Sequence, residues 1–204
     1  MLFKVVLCYL NAFVSILLMT FRALPLCVLF PFLFLATYPS TADEKVRWFK
    51  GNTHTHSLWS DGNDFPEMIA KFYKDNNYHF LVLSDHNILS RGEKWMNVGA
   101  IEKRRRALGV PTLKKYISTF GKEWVELRGE DKKQEVRLRT LEEIRPKFEG
   151  GRNFIFIEGE EITNNFKGSP VHTNGMNLKE LIVPKKGTSL RGTMRNNIIA
   201  VKEQ

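Results

Sequence analysis

Residues 46–83 carry the pattern that most narrows the fold: a short apolar stretch, a helix and a fully apolar run in close succession. VRWFKGNT (46–53) reads as a short strand entering a polar turn. Beyond Asp61-Gly62, Asp64 can cap a helix, with Glu67 three residues on and Pro66 in the first turn. Met68, Ile69, Phe72 and Tyr73 recur at helical spacing, and Asn76-Asn77 closes the helix. YHFLVL (78–83) is then a buried-strand run that stops at Ser84-Asp85-His86-Asn87. Strand, helix and strand at this spacing form the right-handed βαβ unit of a parallel sheet. The fold class is therefore α/β, and ligands in such folds gather at the carboxyl ends of strands.

Both expected strands end in polar clusters that contain histidine, a residue found only five times in the chain. His54 and His56 are two apart, so on an extended segment both imidazoles face the same way and can reach one ion. Asp61 follows on a turn flanked by Gly62 that can fold its carboxylate back toward them. Ser84-Asp85-His86 offers another imidazole and carboxylate from the neighbouring strand. FIFI (154–157) is a further buried strand with Glu160-Glu161 beyond it, and His172 lies in a strand-like stretch after that. Any one of these is weak alone. A strand-end histidine is more often bonded to backbone than to metal, and a Glu-Glu pair is usually surface. His79, inside YHFLVL, is expected to pack or cap locally. The candidates gain weight because all fall at the same end of successive expected strands. Imidazole and carboxylate donors without thiolate suit Zn²⁺, Mn²⁺ or Fe²⁺ and allow metals bridged by a carboxylate.

THTHSLWSDG, FLVLSDHN, GEEIT and the later Val171-His172 together resemble the PHP (polymerase and histidinol phosphatase) domain, a group of metal-dependent phosphoesterases. The likeness is greatest to an exported branch whose members carry a WFKGNTHTHSLWSDG-like start and a charged insertion after SDHN. It implies a distorted (β/α)7 barrel related to the TIM barrel, with two or three divalent transition metals at the carboxyl ends of its strands. By motif, His54 and His56 would bind one metal, and Asp61 and His86 a second. Glu161 would bridge metals and His172 would complete a further site. Asp85 would orient a ligand imidazole or a metal-bound water, and Asn87 would contact substrate. The implied reaction is hydrolysis of a phosphorylated small molecule or phosphodiester by a metal-bound hydroxide.

The family pattern continues beyond Gln204 with another histidine motif and an Asp-x-His. Residues 46–204 would thus be the N-terminal portion of an incomplete barrel. A fragment, a chain completed by a partner and a degenerate pseudo-enzyme all fit that expectation. So does a non-catalytic, exported or membrane-tethered module that binds metal or phosphate.

Residues 1–42 are of different material, with Lys4 and Arg22 as their only charges. Leu2–Leu18 and Ala23–Ala36 are apolar runs, and Ser40 and Ala42 fit a cleavage signal, so an export leader cut after Ala42 is expected. Leu2–Leu18 is nearly long enough to span a bilayer, for which about 20 apolar residues are needed. Translation from Met19 would leave an ordinary signal peptide, and the alternative is a membrane-anchored protein. Both cysteines, Cys8 and Cys27, lie in this leader, so no disulfide or thiolate chemistry is expected beyond it.

The net charge is +9, and much of the charge falls in residues 90–149, where Arg104-Arg105-Arg106 and Lys132-Lys133 alternate with glutamates. Interleaved acids point to solvated helices rather than a nucleic-acid surface, so no nucleic-acid partner is expected and membrane contact only through the leader. Trp95–Ala107, Leu113–Val125 and Arg137–Phe148 carry helical pattern, making residues 90–149 a helical insertion. Leu190, Met194, Ile198 and Val201 mark a final amphipathic helix over Ser189–Gln204.

Overall fold

A computed structural model describes residues 46–104, 111–151 and 153–204. The chain divides into two compact units, Met1–Val46 and Arg47–Gln204, and the fold described here is that of the second. The expected leader, residues 1–42, lies outside the described residues. Among the described residues no helix is long and apolar enough to cross a membrane.

The fold is mixed α/β, with its main sheet curled as half a barrel. That sheet runs β1 (Gly51–Asn52), β2 (Phe80–His86), β6 (Ile155–Phe166), β7 (Ser169–Met176). β1 pairs parallel with β2, and β2 parallel with β6 from Phe80↔Ile155 to His86↔Glu161. β2 is central, and Leu81, Val82 and Leu83 are all buried, as a parallel strand covered on both faces requires. Burying each such side chain is worth about 1.5–3 kcal/mol. Helix α1 (Pro66–Asp75) crosses between β1 and β2, with Pro66 in its first turn. Its Ala70 packs with Leu81 and Leu83 of β2, Phe154 and Phe156 of the β6 segment, and Leu141 and Ile144. Ile144 belongs to α4 (Leu141–Phe148), which starts from a complete capping box between Thr140 and Glu143.

The expected capping box at α1 does not form. Phe65 holds the N-cap position without a side-chain cap bond, and the Asp64 carboxylate accepts the Phe65 N–H and lies 3.6 Å from Lys115 Nζ. Glu67 turns inward, is fully buried, and accepts from the Tyr116 hydroxyl at 2.6 Å and the Trp124 indole N–H at 3.0 Å. Donors from outside the helix win this carboxylate, because a fully buried polar group must be hydrogen-bonded within the protein.

The insertion is not purely helical. Lys94–Asn97 (β3), Leu127–Arg128 (β4) and Glu135–Leu138 (β5) form an antiparallel sheet in the order β3-β5-β4. Two helices accompany it, α2 (Val98–Arg104) and α3 (Thr112–Phe120), and α3 stops at Gly121 with φ of 90°. Trp95 and Arg137, expected in helices, face each other across β3 and β5. Over four residues, the alternation that buries Val136 and Leu138 is too short to outweigh a helical reading of the charged run. Val136, Leu138, Ile101 and Tyr116 of this unit form one core with Leu58, Trp59, Phe65 and Met68.

β6 also differs from expectation. It does not end at FIFI but continues to Phe166 and turns back through Lys167 (φ 50°) and Gly168 (φ 87°). Two positive-φ residues make the tight turn that suits hairpin twist, so β7 returns antiparallel, with Thr163 opposite His172. The final helix, α5 (Leu190–Lys202), is capped by Ser189 and packs Ala200 near Ile162 and Leu178.

Candidate metal centre

The site grows from the segment after β1. His54 and His56 project the same way, with ring centroids 4.7 Å apart. Ser84 of β2 holds the segment at two points. Its N–H donates to the Thr55 carbonyl at 2.9 Å, and its hydroxyl accepts the Thr55 N–H at 3.1 Å. The same hydroxyl lies 2.9 Å from His54 Nδ1, leaving Nε2 of that ring turned toward Glu161 at 3.8 Å.

The chain then folds over itself. The Ser57 carbonyl accepts the N–H groups of Ser60 (3.1 Å) and Gly62 (2.9 Å), closing a turn. A Cβ on Gly62 would lie 2.6 Å from the Ser57 backbone, so only glycine fits. The turn brings Asp61 back: Oδ1 lies 2.8 Å from His56 Nδ1, and Oδ2 lies 3.5 Å from His86 Nε2.

Glu161 is the centre of the arrangement. Its Oε2 lies 2.7 Å from His56 Nε2 and 3.0 Å from His86 Nδ1, and its Oε1 lies 3.1 Å from His172 Nδ1. Its side chain is 9% exposed, so these imidazoles largely replace water around it. His172 arrives from the returning strand β7, not from the end of another parallel strand, and Glu161 lies within β6 rather than beyond it. The adjacent Glu160 is no surface residue either. It is fully buried and accepts the Ile182 N–H at 2.9 Å.

Three groups of donor atoms result: His54–His56–Glu161, His56–Asp61–His86 and His86–Glu161–His172. Within each, the donor atoms lie within 4.8 Å of one another. His56 and His86 each belong to two groups, presenting one ring nitrogen toward Asp61 and the other toward Glu161. His56 Nε2 and Glu161 Oε2 are both buried without a hydrogen-bond partner, although they lie 2.7 Å apart. Lone pairs arranged around a common point explain such a contact, and imidazole with carboxylate is the donor set for a divalent transition ion. The residues therefore fit metal.

Electrostatics act in the same direction. Burial lowers the His54 pKa, and the neighbouring imidazoles His56, His86 and His172 add to this against the pull of Glu161. Burial would raise the Asp61 pKa, but the hydrogen bond and charge of His56 and the charge of His86 hold it below the ordinary value. A neutral imidazole and an ionised carboxylate are the forms that bind metal.

Asp85 is buried and touches no imidazole among its hydrogen-bond partners. It accepts the Ser57 N–H and Ser57 hydroxyl, both at 2.7 Å, and the Ser60 hydroxyl at 2.5 Å, and so holds the turn that carries Asp61. Asn87 (φ 49°) pairs both ends of its amide with the Thr163 backbone, at 2.7 and 3.1 Å. His79 receives the Lys50 N–H on Nδ1 at 2.8 Å and meets Phe49 edge-on, which is local packing.

Sequence reasoning missed Ser84 and Thr163. The Thr163 hydroxyl lies 2.5 Å from His86 Nδ1 and 3.2 Å from His172 Nδ1. The only signal for either was its place beside a candidate ligand in SDHN or GEEIT. Within the charged insertion, Arg137 and Arg139 are both bound to Glu126 and Glu143. No family model matches this chain, and no curated protein matches it.

Proposed function

We propose that residues 46–204 belong to a PHP-type domain, with a TIM-like barrel as its parent architecture, and that the centre serves phosphoester hydrolysis. The observation that carries this reading is the Glu161 carboxylate, met on both oxygens by His56, His86 and His172 with Asp61 alongside. His54, His56 and Glu161 would hold one divalent ion, and His56, Asp61 and His86 another. His86, Glu161 and His172 form the third candidate group. A bound divalent ion supplies Lewis-acid chemistry, lowering the pKa of water from ~16 to near ~7 and neutralising phosphoryl charge. The chain's own part is to hold the donors in place. Ser84 orients His54, Thr163 lies against His86 and His172, and Asp85 holds the Asp61 turn.

The substrate on this reading is a phosphorylated small molecule or a phosphodiester. Residues 1–42 are an export leader, which amino-terminal sequencing of the exported protein would locate by a new end after Ala42. The test of function is elemental analysis of purified protein followed by assay on phosphomonoesters and phosphodiesters. Bound zinc, manganese or iron with turnover that is lost in His54→Ala supports the reading, and protein free of transition metal sinks it.

A non-catalytic module that binds metal or phosphate is the second reading, and one observation favours it. Two basic side chains, Arg91 and Lys50, are engaged by protein groups rather than left to meet phosphate. Arg91 forms a two-point pair with Glu158 at 2.7 and 3.0 Å, and Lys50 donates to the Asn76 carbonyl at 3.1 Å. Metal uptake without turnover on any ester of the panel selects this alternative.

A further inference from the structure

Asp61 raises a problem that the metal cluster does not solve. Its side chain is 66% exposed, so packing does not hold it in line with His56 and His86. Its backbone does the holding, and that backbone is gripped from two sides. Asp85 of β2 binds the turn from beneath through Ser57 and Ser60. From the other side come two cations of the insertion. Lys94 donates to the Trp59 carbonyl, and Arg104 Nη1 donates to the carbonyls of Ser60 (2.9 Å) and Gly62 (3.0 Å). Arg104 thus brackets Asp61, taking the carbonyl of the residue before it and of the residue after it.

The bracket has a rigid base. Arg104 is the last residue of α2, three positions after Ile101, so the two share a helix face. Ile101 is fully buried in the core that also contains Leu58 and Trp59 of the turn segment. Lys94 stands on β3, which is paired to β5. A charged donor on two neutral carbonyls is among the stronger hydrogen bonds, though less so at an exposed site than where water is excluded.

We propose that Arg104 is a positioning residue for the ligand Asp61, and that the insertion is a buttress setting the His56–Asp61–His86 metal position. This rests on the metal reading given above. It assigns the charged insertion a task at the centre without requiring it to cover the site or to touch substrate.

The test is calorimetric titration of the metal-free full chain with Zn²⁺, comparing the parent protein with Arg104→Ala, Arg104→Lys, Asp61→Asn and the double variant Arg104→Ala/Asp61→Asn. Arg104→Ala should weaken one class of site by about 10-fold or more, as loss of groups that orient ligands does, and leave the other sites unchanged. Arg104→Lys should recover part of the loss, since a single nitrogen makes both bonds in the parent. In the Asp61→Asn background the arginine substitution should have no further effect on zinc. Unchanged zinc binding in Arg104→Ala overturns the proposal while leaving the metal reading standing. So does equal weakening of every site with a lowered melting temperature and no recovery in Arg104→Lys. A parent chain that takes up no zinc overturns the metal reading itself, and this proposal with it.

Discussion

His56 Nε2 and Glu161 Oε2 lie 2.7 Å apart in a buried setting, yet they make no hydrogen bond with each other or with any other group among the described residues. The first residue sits on a turn after β1 and the second within β6, so β2 between them sets their separation. His56 also belongs to the group with Asp61, whereas His54 belongs to a single group.

That difference predicts unequal consequences for metal. His56→Ala should remove ions from two positions, and His54→Ala should weaken one position by at least the roughly 10–100-fold that losing a ligand-orienting group costs. Plasma emission analysis after dialysis checks both. Equal stoichiometry in the two variants would count against a shared role for His56.

Asp85 should matter for stability whether or not metal is present. Asp85→Ala leaves Ser57 N–H, buried with its hydroxyl, without their acceptor, and buried bonds to a charged group are worth about 1.5–3 kcal/mol each. Urea unfolding of metal-free protein should show a loss of about 3 kcal/mol or more. A loss below ~1 kcal/mol would mean that water enters the turn and replaces the carboxylate.

Glu67 predicts an alkaline dependence. Burial raises its pKa, and the hydrogen bonds from Tyr116 and Trp124 oppose this only in part. Because the folded value lies above the unfolded one, its contribution is fully present below the unfolded value of 4.5 and is lost as pH rises through the folded value. Glu67→Gln cannot ionise, so its melting temperature relative to the parent should rise between pH 4 and pH 9. A constant difference across that range would refute the assignment.

Glu143 predicts the opposite behaviour in acid. Burial pushes its pKa up, but the Thr140 N–H, Arg137 and Arg139 outweigh burial and hold it at about 2. The folded value lies below the unfolded 4.5, so its contribution is present above 4.5 and is lost as pH falls toward about 2. Glu143→Gln keeps a capping partner and loses the charge. It should cost about 1 kcal/mol at pH 7, as exposed ion pairs with capping bonds do, and nothing near pH 2. Denaturant titrations at the two pH values decide the matter.

Where local pattern and tertiary environment agreed, the elements were legible. FLVL (80–83) lies in the central strand because an unbroken apolar run is stable only when covered on both faces. The Leu190–Lys202 helix forms behind its Ser189 cap, but it buries Thr193, Asn197 and Ala200 while Leu190, Met194 and Ile198 stay exposed. His54 and His56 share a side because two residues is the period of an extended chain.

Elsewhere partners distant in sequence decided. Asp64 and Glu67 have the spacing of a capping box, but Tyr116 and Trp124 from the insertion claim the glutamate. Trp95 fits a helical pattern, and its pairing with Arg137 makes it a strand residue. The tight turn at Lys167 and Gly168 reverses β7 and brings His172 to Glu161 from the opposite direction.

By itself, then, the amino-acid sequence determined the α/β class, the central strand, and a set of candidate imidazoles and carboxylates. These follow from short-range periodicity and side-chain chemistry. Only the tertiary structure decided that four histidines face one glutamate, that Asp85 supports a turn, and that Arg104 brackets Asp61. Those contacts join residues 11 to 107 positions apart, and no local preference encodes them. They exist because hydrogen bonding and burial must be satisfied at once when the strands pair.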